Sequence, residues 1–127
     1  MREIKFRGKD IKSDMWAYGD LHTLCDMPYI DTEESAYPFA GKRSFINPDT
    51  IGQYTGLNDK NGDEIYEGDI VGCTLLDEKE RIGAVQYHNG CFWFICTNGF
   101  SDEYLVNMCD KEVIGNVYDN PELLKKN

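Results

Sequence analysis

The sequence lacks features that define several large classes of protein. No apolar run approaches the roughly 20 residues that a membrane helix needs, so we expect no membrane span. Basic residues are few, with 13 Lys and Arg against 23 Asp and Glu, which gives a net charge of −10. Because affinity for nucleic acids comes mainly from Lys and Arg that neutralise phosphates, we expect no nucleic-acid partner.

Motifs of familiar catalytic and metal chemistry are missing as well. The chain has no glycine-rich phosphate loop, no H-E-x-x-H, no G-x-S-x-G and no C-x-x-C knuckle. The sequence therefore predicts no catalytic residues, no cofactor and no metal ion, and we expect a protein that is not an enzyme.

The cysteines are odd in number, which argues against a closed disulfide framework. They are Cys25, Cys73, Cys91, Cys96 and Cys109. We predict that they are free thiols that serve as small, mostly buried hydrophobic residues. The opening residues alternate charged and apolar side chains, without the unbroken apolar stretch of a secretory signal, so we expect a cytoplasmic protein.

What the chain does have is 127 residues rich in aromatic side chains, enough for one domain with its own core. Alternation of apolar and polar residues predicts β-strands over much of its length. The predicted strands are 3–7, 15–21, 50–57, 64–66, 70–76, 81–88, 91–96 and 112–118, with 103–108 undecided between strand and helical turn. Residues 25–48, punctuated by prolines, are predicted as a mobile loop with short extended pieces at 28–30 and 44–46.

The clearest local signal is a hairpin at Asn89-Gly90, a pair typical of a two-residue type I′ turn. This turn fixes the register, so that His88 faces Cys91 and the preceding residues pair in order. One face of the hairpin then carries Val85, Tyr87, Phe92 and Phe94, which we predict to be core. The other face carries Gln86, His88, Cys91 and Trp93, a mixed set that could meet a partner or solvent.

These elements predict a mainly-β fold formed by residues 1–127, with an N-terminal hairpin and motif region over 1–66. A Gly-Asp pair that enters a strand, a charged loop and then an Asn-Gly hairpin follow the order of a small SH3-like barrel, which we predict over 67–118. Asn120 and Pro121 are typical of a helix start, and the late lysines of a helix end. They predict a short C-terminal helix over 119–127.

Two segments resemble metal or nucleophile sites but match them incompletely. Residues 59–63 begin like a calcium loop, D-x-N-x-D, yet the sixth position is Glu64 instead of Gly and the twelfth is Ile70 instead of Glu, so a plain hairpin turn is favoured. The H-x-x-C spacing occurs at 22–25 and 88–91. Because the hairpin brings His88 and Cys91 together with or without a metal or a reaction, we interpret them as a cross-strand pair.

The candidate binding residues lie beside the strand that begins near residue 69 and on the open face of the hairpin. They are Tyr66, Glu67, Asp69, His88 and Trp93. The acidic residues 64, 67 and 69 could act as paired carboxylates, although acidic turns are common in a chain of this charge.

Four segments together resemble the YopX family of phage and prophage proteins. They are R-E-I-K-F-R-G at 2–8, W-x-Y-G at 16–19, T-I-G-Q-Y-T-G-L-N-D-K-N-G-D-E-I-Y-E-G-D-I-V at 50–71 and E-V-I-G-N-V-Y-D-N-P-E-L-L at 112–124. The resemblance covers almost the whole chain, with 24–45 and 77–80 as the variable parts. It implies a mainly-β protein of a phage or prophage in a bacterial host, and it carries no catalytic residue over.

From these observations we expect an accessory protein that acts by binding protein, with itself as the first partner in a homo-oligomer. One alternative is an acidic decoy that mimics DNA and occupies a host defence protein. Another is an enzyme with an acidic site near Glu67, Asp69 and His88.

Overall fold

The computed structural model describes residues 3–32 and 42–124 of the chain, which divides into two compact units at residues 1–54 and 55–127. The predicted mainly-β class is confirmed. In the part of the chain that the structure describes, the helical elements are three single 3₁₀ turns, at Pro48–Thr50, Leu105–Asn107 and Pro121–Leu124.

The first unit is an antiparallel sheet in the order β4-β3-β2-β1-β5. Its strands are β1 (Phe6–Lys9), β2 (Trp16–Leu24), β3 (Met27–Thr32), β4 (Lys42–Phe45) and β5 (Gly52–Asn58), the last of which continues into the second unit. The core of this unit consists of Ala17, Ile30 and Ile46, against which Phe6, Leu21 and Ile51 pack. The extended pieces predicted at 28–30 and 44–46 lie in β3 and at the end of β4. The middle of the predicted loop, residues 33–41, lies outside the described residues.

The second unit contains an open antiparallel sheet in the order β10-β9-β8-β7-β11, with β6 beside the end of β5. Its strands are β6 (Glu64–Tyr66), β7 (Asp69–Thr74), β8 (Glu80–His88), β9 (Cys91–Cys96), β10 (Glu103–Tyr104) and β11 (Glu112–Asn116). The core of this unit is formed by buried apolar side chains. They come from four of these strands, from the 3₁₀ turn at 105–107 and from the residue after that turn. They are Ile65, Val71, Cys73, Val85, Phe94, Leu105 and Met108.

The predicted register of the β8–β9 hairpin is confirmed at each of its four pairs, from His88 opposite Cys91 to Val85 opposite Phe94. Asn89 and Gly90 have φ angles of 52° and 79°, the left-handed values that a type I′ turn requires. The predicted core face is confirmed at three of its four residues. Val85 and Phe94 are buried and Phe92 packs against the same core, but Tyr87, which lies opposite Phe92, is 54% exposed.

Two larger predictions are corrected. The SH3-like barrel over 67–118 is not confirmed, because β10 and β11 form two separate edges and the sheet does not close. The C-terminal helix predicted over 119–127 is not found in its described part, residues 119–124, which forms only the 3₁₀ turn at Pro121–Leu124. Cap signals such as Asn120 and Pro121 act only on the first turn, and the cost of nucleating an α-helix exceeds what a cap contributes.

The cysteine prediction is also corrected in part. All five are free thiols and Cys73 is buried, but Cys25 and Cys109 are exposed. Cys25 lies in the β2–β3 turn with a φ of 49°, where no core reaches it. The undecided segment 103–108 contains both forms, a two-residue strand followed by a 3₁₀ turn.

Candidate functional site

The five predicted binding residues occupy two places in the second unit. Tyr66, Glu67 and Asp69 lie at the turn between β6 and β7, whereas His88 and Trp93 lie at the end of the β8–β9 hairpin. The two places differ in burial. At the turn, Tyr66 and Asp69 are buried and Glu67 is half-buried, whereas on the hairpin Trp93 is half-buried and His88 is exposed.

The β6–β7 turn is closed by Asp69. Its Oδ2 accepts a hydrogen bond from the backbone N–H of Tyr66 at 2.8 Å, and both residues are 2% exposed. The Tyr66 hydroxyl donates to a carboxylate oxygen of Glu64 at 3.2 Å. Both buried residues are therefore parts of the turn, and neither offers a surface on which a partner could dock.

The end of the hairpin carries a ladder of three aromatic rings, formed by His88, Trp93 and Tyr104, which we call the aromatic ladder. The His88 and Trp93 rings stack with centroids 5.1 Å apart and planes at 9°. Tyr104 lies 4.4 Å from Trp93 on its other side. The indole Nε1–H of Trp93 donates to the backbone carbonyl of His88 at 3.1 Å, which fixes the orientation of the ring. The aromatic ladder is thus a rigid group on the surface, with His88 exposed and Tyr104 43% exposed.

Tyr104 was missed at the sequence level because it joins the aromatic ladder from another strand. It lies directly opposite Trp93 in the register of β9 and β10. The signal that could have found it is the Asn98-Gly99 turn after β9, which returns the chain antiparallel to that strand.

The calcium-like segment is confirmed as a hairpin turn held by a buried carboxylate. Asp59 is 7% exposed. Its Oδ1 accepts from the N–H groups of Asn61 and Asp63, both at 2.9 Å, and its Oδ2 accepts from the N–H of Val113 at 3.0 Å. Burial acts to raise the pKa of Asp59, but these N–H groups stabilise the ionised form and leave the pKa below its ordinary value. Both oxygens are therefore already engaged by the protein.

Metal-binding clusters are not found within residues 3–32 and 42–124. No group of three or more His, Cys, Asp or Glu side chains there could hold an ion. His88 does face Cys91 across the hairpin, but its ring stacks on Trp93.

The other face of the same sheet holds an open pocket of about 320 Å³, which the sequence analysis did not anticipate. We call it the Phe94 pocket. Its most buried lining residues are Phe94, Cys73 and Met108, and Phe100 contributes another apolar wall. Successive side chains of a strand point to opposite faces, so that Phe94 lies on the face opposite to its neighbour Trp93.

The Phe94 pocket is uncharged at its base and charged at its rim. Burial raises the pKa of the Cys73 thiol and so favours its neutral form. At the rim, the guanidinium of Arg81 lies 4.1 Å from the centroid of the Phe100 ring. It also donates two hydrogen bonds to Asp77, at 3.1 and 2.9 Å, which lower the pKa of that carboxyl to about 2. Glu103 is a further acidic group that lines the pocket.

Comparison with known proteins gives a family and a related fold. The family model described as YopX protein matches residues 2–125, and the chain belongs to the YopX family. It is similar to the crystal structure of protein EF1440 from Enterococcus faecalis, with 25% sequence identity and a TM-score of 0.61 over 98% of this chain and 100% of that chain. No curated protein matches. In the described part of the chain, no helix is long and apolar enough to span a membrane.

Proposed function

We propose that this YopX-family chain is a phage or prophage accessory protein of the bacterial cytoplasm that acts by binding protein, without catalysis, and that it associates with a second copy of itself. The aromatic ladder of His88, Trp93 and Tyr104 carries this proposal. Aromatic side chains are enriched in protein interfaces, where they bury a large area at little cost in conformational entropy. Stacking already restrains these rings in the free chain, which lowers that cost further.

The sheet edges of the second unit favour contact through side chains over addition of a strand. The Val113 N–H donates to Asp59, the Asn116 N–H to the Asn120 side chain, and the Tyr104 N–H to its neighbour Glu103. These edge donors are therefore occupied, and they offer little to an incoming strand.

The negative charge of the second unit makes self-association dependent on the salt concentration. The second unit carries six Lys and Arg against fourteen Asp and Glu, so that two copies repel each other. Since salt screens such repulsion, we expect the self-association to strengthen as the salt concentration rises.

Light scattering over a range of concentrations tests the proposal. The wild-type chain is expected to have the mass of a dimer or larger assembly at tens of micromolar, and Tyr104→Ala to shift it toward the monomer. Tyr87→Ala is the matched control, because Tyr87, 54% exposed against 43% for Tyr104, is the more exposed of the two but lies on the other face of the hairpin. A wild-type mass that stays monomeric, or equal effects of the two substitutions, would count against the proposal.

A further inference from the structure

We propose that the Phe94 pocket binds one bulky apolar side chain presented by a basic segment of a protein partner. The inference rests on the proposed function, since it assumes that the chain binds protein. It names a second site on the opposite face of the sheet and the chemistry of its partner.

The Phe94 pocket is large enough to hold one bulky apolar side chain, and its base is apolar. Its volume of about 320 Å³ is at the lower end of the range of ligand sites, which run from roughly 300 to 1,000 Å³. Phe94 is 1% exposed and Met108 is 8% exposed, so that the base offers packed apolar surface. Leu75, 45% exposed, adds an apolar side chain to the lining.

The charge around the Phe94 pocket favours an occupant with basic flanks. The positive charge of Arg81 is matched by Asp77, with which it forms a two-bonded pair. Glu103 lines the pocket, and its neighbour in the chain is another acid, Asp102. Asp110 follows the lining residue Cys109, and the ammonium of Lys111 donates to the carbonyl of Met108 at 2.9 Å. Four acidic side chains thus stand against two basic ones, Arg81 and Lys111, around the pocket. A segment with Lys or Arg on either side of its apolar residue therefore meets complementary charge.

The position of the Phe94 pocket leaves it accessible when two copies associate through the aromatic ladder. Phe94 and Glu103 form one cross-strand pair, and Trp93 and Tyr104 form the next. Adjacent pairs point to opposite faces of the sheet. One copy can therefore use one face for a second copy and the other face for its partner.

The experiment measures fluorescence anisotropy of a labelled short peptide that has one central phenylalanine flanked by lysines. The full-length chain is expected to bind it. Replacement of the phenylalanine by alanine is expected to weaken binding about tenfold, which corresponds to about 1.4 kcal/mol. Replacement of the lysines by glutamates is expected to abolish binding. Rising salt should weaken peptide binding, because it screens an attraction here, whereas it strengthens self-association.

Two adjacent substitutions on one 3₁₀ turn locate the site. Asn107 lines the Phe94 pocket, whereas Val106, 67% exposed, is not among the lining residues. We expect Asn107→Trp to fill the pocket and weaken peptide binding at least about tenfold. Val106→Trp adds the same bulk beside the pocket, and with it the peptide should bind as it binds the wild type.

Several results would overturn the inference. They are absence of peptide binding to the wild type, binding that Asn107→Trp leaves unchanged, and equal binding of the lysine and glutamate peptides. A loss of self-association in Asn107→Trp would show that the pocket takes a second copy instead. A monomeric wild type that still binds the peptide through this pocket would contradict the self-association proposal and leave the inference standing.

Discussion

The two units of this chain bury charges of opposite sign. Among the described residues, the buried charged side chains of the first unit are Arg7 and Lys9, and those of the second are Asp59 and Asp69. The cations lie over an aromatic ring, with the Arg7 guanidinium 4.4 Å and the Lys9 ammonium 5.5 Å from the centroid of Trp16. The carboxylates accept hydrogen bonds from backbone N–H groups at turns. The first unit thus places its buried charges against side chains, and the second uses them to close loops.

This difference shows that the net charge of a unit does not predict the sign of the charged side chains that it buries. The first unit is close to neutral, with seven basic and nine acidic residues, yet it buries cations. A long basic side chain can pack its methylene groups on a ring. A short carboxylate has the reach to cap the N–H groups of a tight turn. The geometry of each site, more than its overall charge, selects the residue.

Removal of the ring in the first unit should have the largest effect. Trp16→Ala leaves Arg7 and Lys9 without their aromatic support, and we expect the free energy of unfolding of that unit to fall by about 3 kcal/mol. Trp16→Phe keeps a ring face and should cost about 1 kcal/mol. Native-state hydrogen exchange over β2 and β3 measures the change, with β7 to β9 as the internal reference. Equal losses in the two variants would mean that the ring face contributes nothing to the cations.

Removal of a carboxylate that closes a loop in the second unit should have the second-largest effect on stability. Asp59→Ala deprives the N–H groups of Asn61, Asp63 and Val113 of their acceptor, and we expect a loss of about 2 kcal/mol in the free energy of unfolding. Exchange over β7 to β11 reads this loss. The control is Asp63→Ala, an exposed acid of the same turn, which should cost less than about 0.5 kcal/mol. If both substitutions destabilised equally, general charge and not the hydrogen bonds would be responsible.

A third, smaller difference between the two units is expected in their stability at low pH. The Ser44 hydroxyl and the N–H groups of Ser13 and Lys12 donate to the carboxylate of Asp10, and they lower its pKa from 3.8 to about 2. A carboxyl whose pKa is lower in the folded state contributes stability above about pH 4, and that contribution is lost as the pH falls toward 2. We therefore expect the first unit to lose stability over this range in the wild type and less of it in Asp10→Asn, as followed by hydrogen exchange.

The matched acid in the second unit is Asp77. Its pKa is also about 2, because the Arg81 guanidinium donates two hydrogen bonds to it, but it lies on an exposed loop. Exposed ion pairs contribute little to stability. Asp77→Asn should accordingly leave the acid profile of the second unit almost unchanged. A larger change there than in Asp10→Asn would reverse the comparison.

Local sequence patterns predicted the local structure correctly, but they did not predict contacts between residues that are distant in sequence. The Asn89-Gly90 turn fixes the register of the strands that adjoin it, so that the pairing of Gln86 with Trp93 could be predicted. The closing of a barrel depends instead on which strands meet after long connections, and β11 pairs with β7 across most of the unit. No turn residue specifies that pairing.

The candidate site divides in the same way. His88 and Trp93 were predicted because the hairpin places them on one face, whereas Tyr104 and the Phe94 pocket depend on the return of β10 beside β9. Asp69 was assigned to a surface because an acid at a strand start is commonly exposed. An Asp at this position can accept a hydrogen bond from the N–H three residues earlier, here that of Tyr66, but the sequence alone does not show that it does so.

The side chains that occupy the sheet edges of the second unit also protect it from aggregation. Asp59 at β11 and Glu103 at β10 hold backbone N–H groups that would otherwise be available to the strands of other molecules. Loss of the carboxylate at 59 removes a stabilising contact and exposes an edge in the same step. For such a variant we expect insoluble protein to accumulate at high concentration.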